Sequence, residues 1–141
     1  MKIFLDTSVL IAASDADRRD HLASRTLLAQ ATKETTACGA HTLAEVYAVL
    51  SVLPGGKRQR PEIAGRLVEQ IIERLTVVPL TVHEYAGTIR ETARSSLAGG
   101  IILDALLLAC ARKVDAERIY TWNVRHFKMV APDLADRIMT P

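Results

Sequence analysis

The chain has 141 residues, 49% of them apolar, 4% aromatic and 24% charged. That length suits one domain, residues 1–141, with a core of its own, and the scarcity of aromatic rings argues against a stacking platform for single-stranded nucleic acid. A formal net charge of +2, from 18 Lys and Arg against 16 Asp and Glu, is too mild to announce a nucleic-acid partner by itself.

The run Lys2–Leu5 predicts a short buried strand, followed at once by Asp6-Thr7-Ser8 and a helix starting at Val9–Ala13. Residues 20–32 place Leu22, Leu27, Leu28 and Ala31 at helical spacing, and Thr35–Gly39 reads as a second strand. Thr42-Leu-Ala-Glu45 has the form of a capping box and opens a helix to about Leu53, where Pro54-Gly55-Gly56 stops it. A basic loop, Lys57-Arg58-Gln59-Arg60, leads to a helix from Pro61 to about Arg74. Leu75–Pro79 is a third strand, and Thr81–Ser96 a helix whose Thr81 and Glu84 form another capping box. Gly99-Gly100 precedes a buried helix, Ile101–Lys113. Arg118–Trp122 is a fourth strand, with a short helix near Asn123–Phe127 and an edge strand at Met129–Ala131 completing the chain.

Short apolar strands alternating with helices imply a parallel sheet covered on both faces. In such sheets sites form beyond the carboxyl ends of the strands, where strand order switches. Asp6 follows the first strand directly, Glu45 the second by a few residues and Asn123 the fourth, so all three are expected on one rim. Cys38 and Cys110 lie in apolar stretches and read as small buried hydrophobes of a reducing compartment. The longest apolar run, Ile101 to Ala111, contains Asp104 and is too short to span a bilayer, which predicts a soluble, cytoplasmic protein without a membrane partner.

Asp104 is the only charged residue between Arg94 and Arg112. A carboxylate in such surroundings loses hydration worth several kcal/mol unless a cation or hydrogen bonds compensate it. The competing reading is a helix-start acid facing the positive end of the dipole, since Gly100 could mark the entry. Asp6 competes with Thr7 and Ser8 as an N-cap, so capping alone does not require it. Glu45 is equally well explained by its capping box, and Asn123 by a turn or cap. The combination outweighs these separate explanations, because three acids and an amide meet on one rim.

Oxygen donors without a histidine or cysteine cluster select Mg²⁺ or Mn²⁺ over zinc. His21, His41, His83 and His126 show no ligand spacing and read as surface or supporting residues. No phosphate-cradling glycine loop or nucleophile elbow exists, which leaves metal-assisted hydrolysis.

Asp6-Thr7-Ser8, Thr42-x-x-Glu45, Asp104 after Gly100, and Thr121-x-Asn123 with Phe127 behind it resemble the PIN domain, and more narrowly the VapC-type toxins of bacterial toxin–antitoxin pairs. The resemblance extends over essentially the full length, including the loop from Leu53 to Arg58 and the helix after Pro61. It implies an α/β fold of three layers, α/β/α, with a central, mostly parallel sheet of four to five strands. It implies Mg²⁺- or Mn²⁺-dependent endonucleolytic cleavage of RNA, with structured RNA such as tRNA or rRNA as substrate. It also implies a homodimer and a small DNA-binding antitoxin as partner. By position, Asp6, Glu45 and Asp104 become metal ligands, Asn123 stands where the family has a fourth acid, and Ser8 and Thr121 support the site. An amide brings no charge, which puts a second cation in doubt.

Lys57, Arg58, Arg60 and Arg125 are expected to grip phosphates, with a solvated loop as the competing reading. Helices 42–53 and 61–74, through Val46, Leu50, Leu67 and Ile71, serve either core packing or a partner groove. Two rival functions remain. An aspartyl phosphatase of haloacid-dehalogenase type needs a second Asp where Ser8 stands. A degenerate, non-catalytic RNA- or protein-binding domain is favoured by Asn123.

Overall fold

The computed structural model describes residues 1–53, 56 and 58–141. Five short strands, β1 (Ile3–Leu5), β2 (Thr36–Gly39), β3 (Thr76–Val78), β4 (Arg118–Tyr120) and β5 (Ile138–Met139), form one sheet in the order β3-β2-β1-β4-β5. Every neighbouring pair is parallel. Parallel neighbours need crossovers, and among the described residues seven α-helices supply them. These are α1 (Thr7–Ser14), α2 (His21–Ala29), α3 (Ala40–Leu50), α4 (Pro61–Arg74), α5 (Val82–Arg94), α6 (Ile101–Lys113) and α7 (Val124–Val130).

Side chains alternate across a strand, and that period of two divides the core. Phe4, Ala37, Val78 and Ile119 point to one face, where they pack with Leu107, Leu108 and Ala111 of α6 and Phe127 of α7. Leu5 and Cys38 point to the other, against Val9 and Leu10 of α1, Val46 and Leu50 of α3, and Ala64 and Ile71 of α4. The result is the expected three-layer α/β/α arrangement, with five strands, all parallel. Val46, Leu50 and Ile71 are therefore core residues, while Leu67 also lines a groove between α2 and α4. At the end of β2, a Cβ on Gly39 would stand 2.8 Å from Leu107 Cδ2, so α6 packs close over this position.

Two expectations are corrected. Met129–Ala131 is not a strand, because α7 runs through Val130 and Ala131 is its C-cap. Phe127 and Ala131, one helical turn apart, are both buried, and the Ala131 N–H donates to the Phe127 carbonyl at 2.9 Å. The fifth strand comes later, after a 3₁₀ helix at Pro132–Arg137, with Ile138 beside Ile119. Helix α3 opens at Ala40 with Gly39 as its N-cap, so Thr42 lies inside the helix and caps nothing. Backbone position decides this, since a residue with helical geometry has already left the cap. The second capping box forms as expected, with Thr81 Oγ1 accepting from the Glu84 N–H at 3.1 Å and Glu84 Oε2 accepting from the Thr81 N–H at 2.6 Å.

Candidate active site

Asp6 sits where β1 ends, at the centre of the sheet, and is only 3% exposed. Its N–H donates to the Tyr120 carbonyl at 3.0 Å, continuing the β1–β4 ladder. The carboxylate is held on one oxygen. Ser8 Oγ donates to Asp6 Oδ2 at 2.6 Å and Thr121 Oγ1 donates to the same atom at 2.8 Å. Each hydroxyl is itself oriented by the backbone after β4. The Trp122 N–H donates to Ser8 Oγ at 3.0 Å, and the Asn123 N–H donates to Thr121 Oγ1 at 2.9 Å. A hydroxyl that accepts from an amide turns its one proton elsewhere, here to the carboxylate, and such charge-assisted bonds are strong. No described residue donates to Asp6 Oδ1.

From the second strand, α3 brings His41, Thr42 and Glu45 to this edge. Thr7 Oγ1 lies 3.0 Å from the buried Thr42 Oγ1 and 3.4 Å from Glu45 Oε1. Glu45 is half-buried, and its pKa is raised, chiefly by burial and then by the charge of Asp6; the Thr7 hydrogen bond opposes this and Asp104 adds to it. His41 Nε2 stands 3.6 Å from Glu45 Oε1.

Asp104 arrives on the opposite layer, in the first turn of α6. The helix start favours a charge there, yet burial, followed by Asp6, pushes its pKa up to about 6, with His126 acting the other way. Three acids from β1, α3 and α6 lie within one another's fields, and each gains from a neutralising cation. The donors are all oxygen, which suits a hard divalent ion. Among the described residues no three such side chains stand at ligand spacing.

Asn123 is exposed and forms the N-cap of α7 without a side-chain cap bond. Arg125 is exposed on α7, and Arg58 and Arg60 are exposed beyond the end of α3 remote from His41. No described contact links these three arginines to the acids, and Lys57 lies outside the described residues. Thr7 and Thr42 read as caps in the sequence, and His41 and His126 as surface or supporting residues; in the structure Thr7 stands beside Thr42 and Glu45, His41 stands beside Glu45, and His126 acts on Asp104. An i, i+4 spacing ties His41 to Glu45 and is legible once the helix is opened at Ala40.

The PIN domain family profile matches residues 3–131, and the chain belongs to that family. Its fold is also that of several solved structures. VapC20 of Mycobacterium tuberculosis, a toxin that cleaves the sarcin-ricin loop, superposes with a TM-score of 0.70 at 20% identity, covering 86% of this chain and 90% of that one. VapBC-1 of nontypeable Haemophilus influenzae gives 0.64 at 20% identity, covering 99% and 98% respectively. VapBC2 of Rickettsia felis, bound to a promoter DNA fragment, gives 0.61 at 19% identity over 92% and 93%. No curated protein sequence matches significantly. Among the described residues no helix is long and apolar enough to cross a membrane.

Proposed function

We propose that this PIN-domain chain is a metal-dependent endoribonuclease and the toxin of a toxin–antitoxin pair, acting in the cytoplasm on structured RNA such as tRNA or rRNA. The observation that carries the reading is that Asp6, Glu45 and Asp104, from three separate elements, lie within one another's fields, each acid raised or fixed by its neighbours. These three residues would hold Mg²⁺ or Mn²⁺, with Asn123 in the place of a fourth ligand. When bound, the ion supplies Lewis-acid polarisation of a phosphodiester and a more acidic water.

The chain's own residues prepare this chemistry. Ser8 and Thr121 hold Asp6 by one oxygen, which leaves the other for a ligand. Glu45, with its raised pKa, is suited to orient or deprotonate a water. Lys57, Arg58, Arg60 and Arg125 are assigned the weaker role of meeting phosphate, which positions RNA without reading its sequence. A DNA-binding antitoxin is inferred because related folds are solved as VapBC complexes, one on promoter DNA. A homodimer is supported by the exposed stripe Val82, Tyr85 and Ile89 on α5.

The test is incubation of purified protein with structured RNAs and Mg²⁺ or Mn²⁺, beside Asp6→Asn and Asp104→Asn. Loss of cleavage in folded variants is expected, and variants that cut as fast as wild type overturn the assignment. The exposed, uncharged Asn123 favours a second reading, a domain that binds RNA or protein without cutting. Thermal stabilisation by Mn²⁺ separates the two, since only a ligated site gains stability with metal concentration.

A further inference from the structure

His41 is the second residue of α3, one helical turn before Glu45, so both side chains share a face. Its side chain is 18% exposed. Among the described residues, His41 Nε2 is the one buried side-chain nitrogen or oxygen without a hydrogen-bond partner. Leaving such an atom unpaired is unfavourable, because its hydration is lost and nothing replaces it. The nearest acid oxygen is Glu45 Oε1 at 3.6 Å, just outside hydrogen-bond length. Across the site the ring lies against the backbone carbonyl of Leu103, the residue before Asp104, and within the field of Asp6. One imidazole therefore spans the two helices that carry Glu45 and Asp104.

We propose that His41 is a positioning residue, which ties α3 to the first turn of α6 and fixes the direction in which the Glu45 carboxylate faces. The proposal rests on the metal-dependent reading above. The 3.6 Å contact closes when Glu45 is drawn inward, because catalytic hydrogen bonds commonly shorten only in the working complex. The imidazole then supports a ligand from behind, as outer partners of metal-binding side chains do.

The experiment compares wild type, His41→Leu and His41→Gln for Mn²⁺ binding, read from free Mn²⁺ by electron paramagnetic resonance without RNA, together with the metal-free Tm. His41→Leu is expected to weaken Mn²⁺ binding roughly 10- to 100-fold, while His41→Gln, which keeps a donor at that reach, recovers most of the loss. A folded His41→Leu protein that binds Mn²⁺ as tightly as wild type overturns the proposal, as does a His41→Gln protein as weak as His41→Leu. Should His41→Leu not fold, His41→Met against His41→Gln makes the same comparison. Wild-type protein that binds no Mn²⁺ overturns the metal reading and this one together; wild-type binding that His41 variants leave unchanged overturns this one alone.

Discussion

Thr121 Oγ1 donates a 2.8 Å hydrogen bond to Asp6 Oδ2 across 115 positions of sequence. The same hydroxyl accepts from the Asn123 N–H, so it serves two partners in a buried setting. Thr121→Val keeps the shape and removes both bonds. It is expected to destabilise the fold by about 2–3 kcal/mol, since a bond to a charged group and a backbone donor are lost together. Thr121→Ser should recover most of this. Urea unfolding of the two variants checks it, and equal stability of Thr121→Val and wild type would contradict the arrangement.

Asp104 makes metal-free stability depend on pH. Its pKa rises in the fold from 3.8 to about 6, first through burial and then through Asp6. Between those values the folded state holds a proton that the unfolded chain has released, so stability declines as pH rises through this window. Above it the full penalty persists. Asp104→Asn removes that penalty and is expected to stabilise the metal-free protein at pH 7 by about 1 kcal/mol, after allowance for solvent screening. Denaturation in chelator at pH 4.5 and 7 measures it; a destabilised Asp104→Asn protein at pH 7 would refute the account.

Trp122 is the only tryptophan, and its Nε1 donates to Ser24 Oγ at 2.8 Å. Ser24 is fully buried on α2, so this bond pins α2 to the segment that orients Ser8. Ser24→Ala leaves the indole N–H without its partner and is expected to destabilise by about 1–2 kcal/mol. A shift in the single tryptophan's emission should accompany the loss. Unchanged emission and unchanged stability would contradict it.

Both cysteines are free and buried. Burial, with Cys110 nearby, pushes the Cys38 thiol up to about 12. Burial also pushes Cys110 up to about 11 against the opposing pull of Lys113. Only the thiolate reacts readily, so a disulfide-exchange reagent should label neither residue in native protein and both after unfolding. Immediate native labelling at either position would be inconsistent with this packing.

Where local chemistry decides structure, the sequence was sufficient. Pro61 at the first helical position and Leu75 after Arg74 delimit α4, and apolar residues from Ile101 define α6 with the bounds expected. Asp104 stands out in the sequence as a lone acid in an aliphatic helix, and the structure has it in the first turn of α6. Local reading failed where two periodicities compete. Met129, Val130 and Ala131 are apolar in succession, which suits a strand or a buried helix equally, and only the turn from Phe127 to Ala131 settles it. The two-residue β5 is too short to show any pattern. His41 was obscured by a plausible capping box that drew the start of α3 two residues too late. The bond between Thr121 and Asp6 has no local signal, because the sheet alone makes those residues neighbours.

The central position of β1 has a consequence for synthesis. This strand leaves the ribosome well ahead of β4, yet it pairs with β4 directly, and Asp6 acquires the Thr121 hydroxyl only through that pairing. Sequence-distant pairings of this kind form late. A nascent chain halted before β4 has its first acid without the group that orients it. Interrupted translation therefore yields fragments in which Asp6 lacks its Thr121 partner.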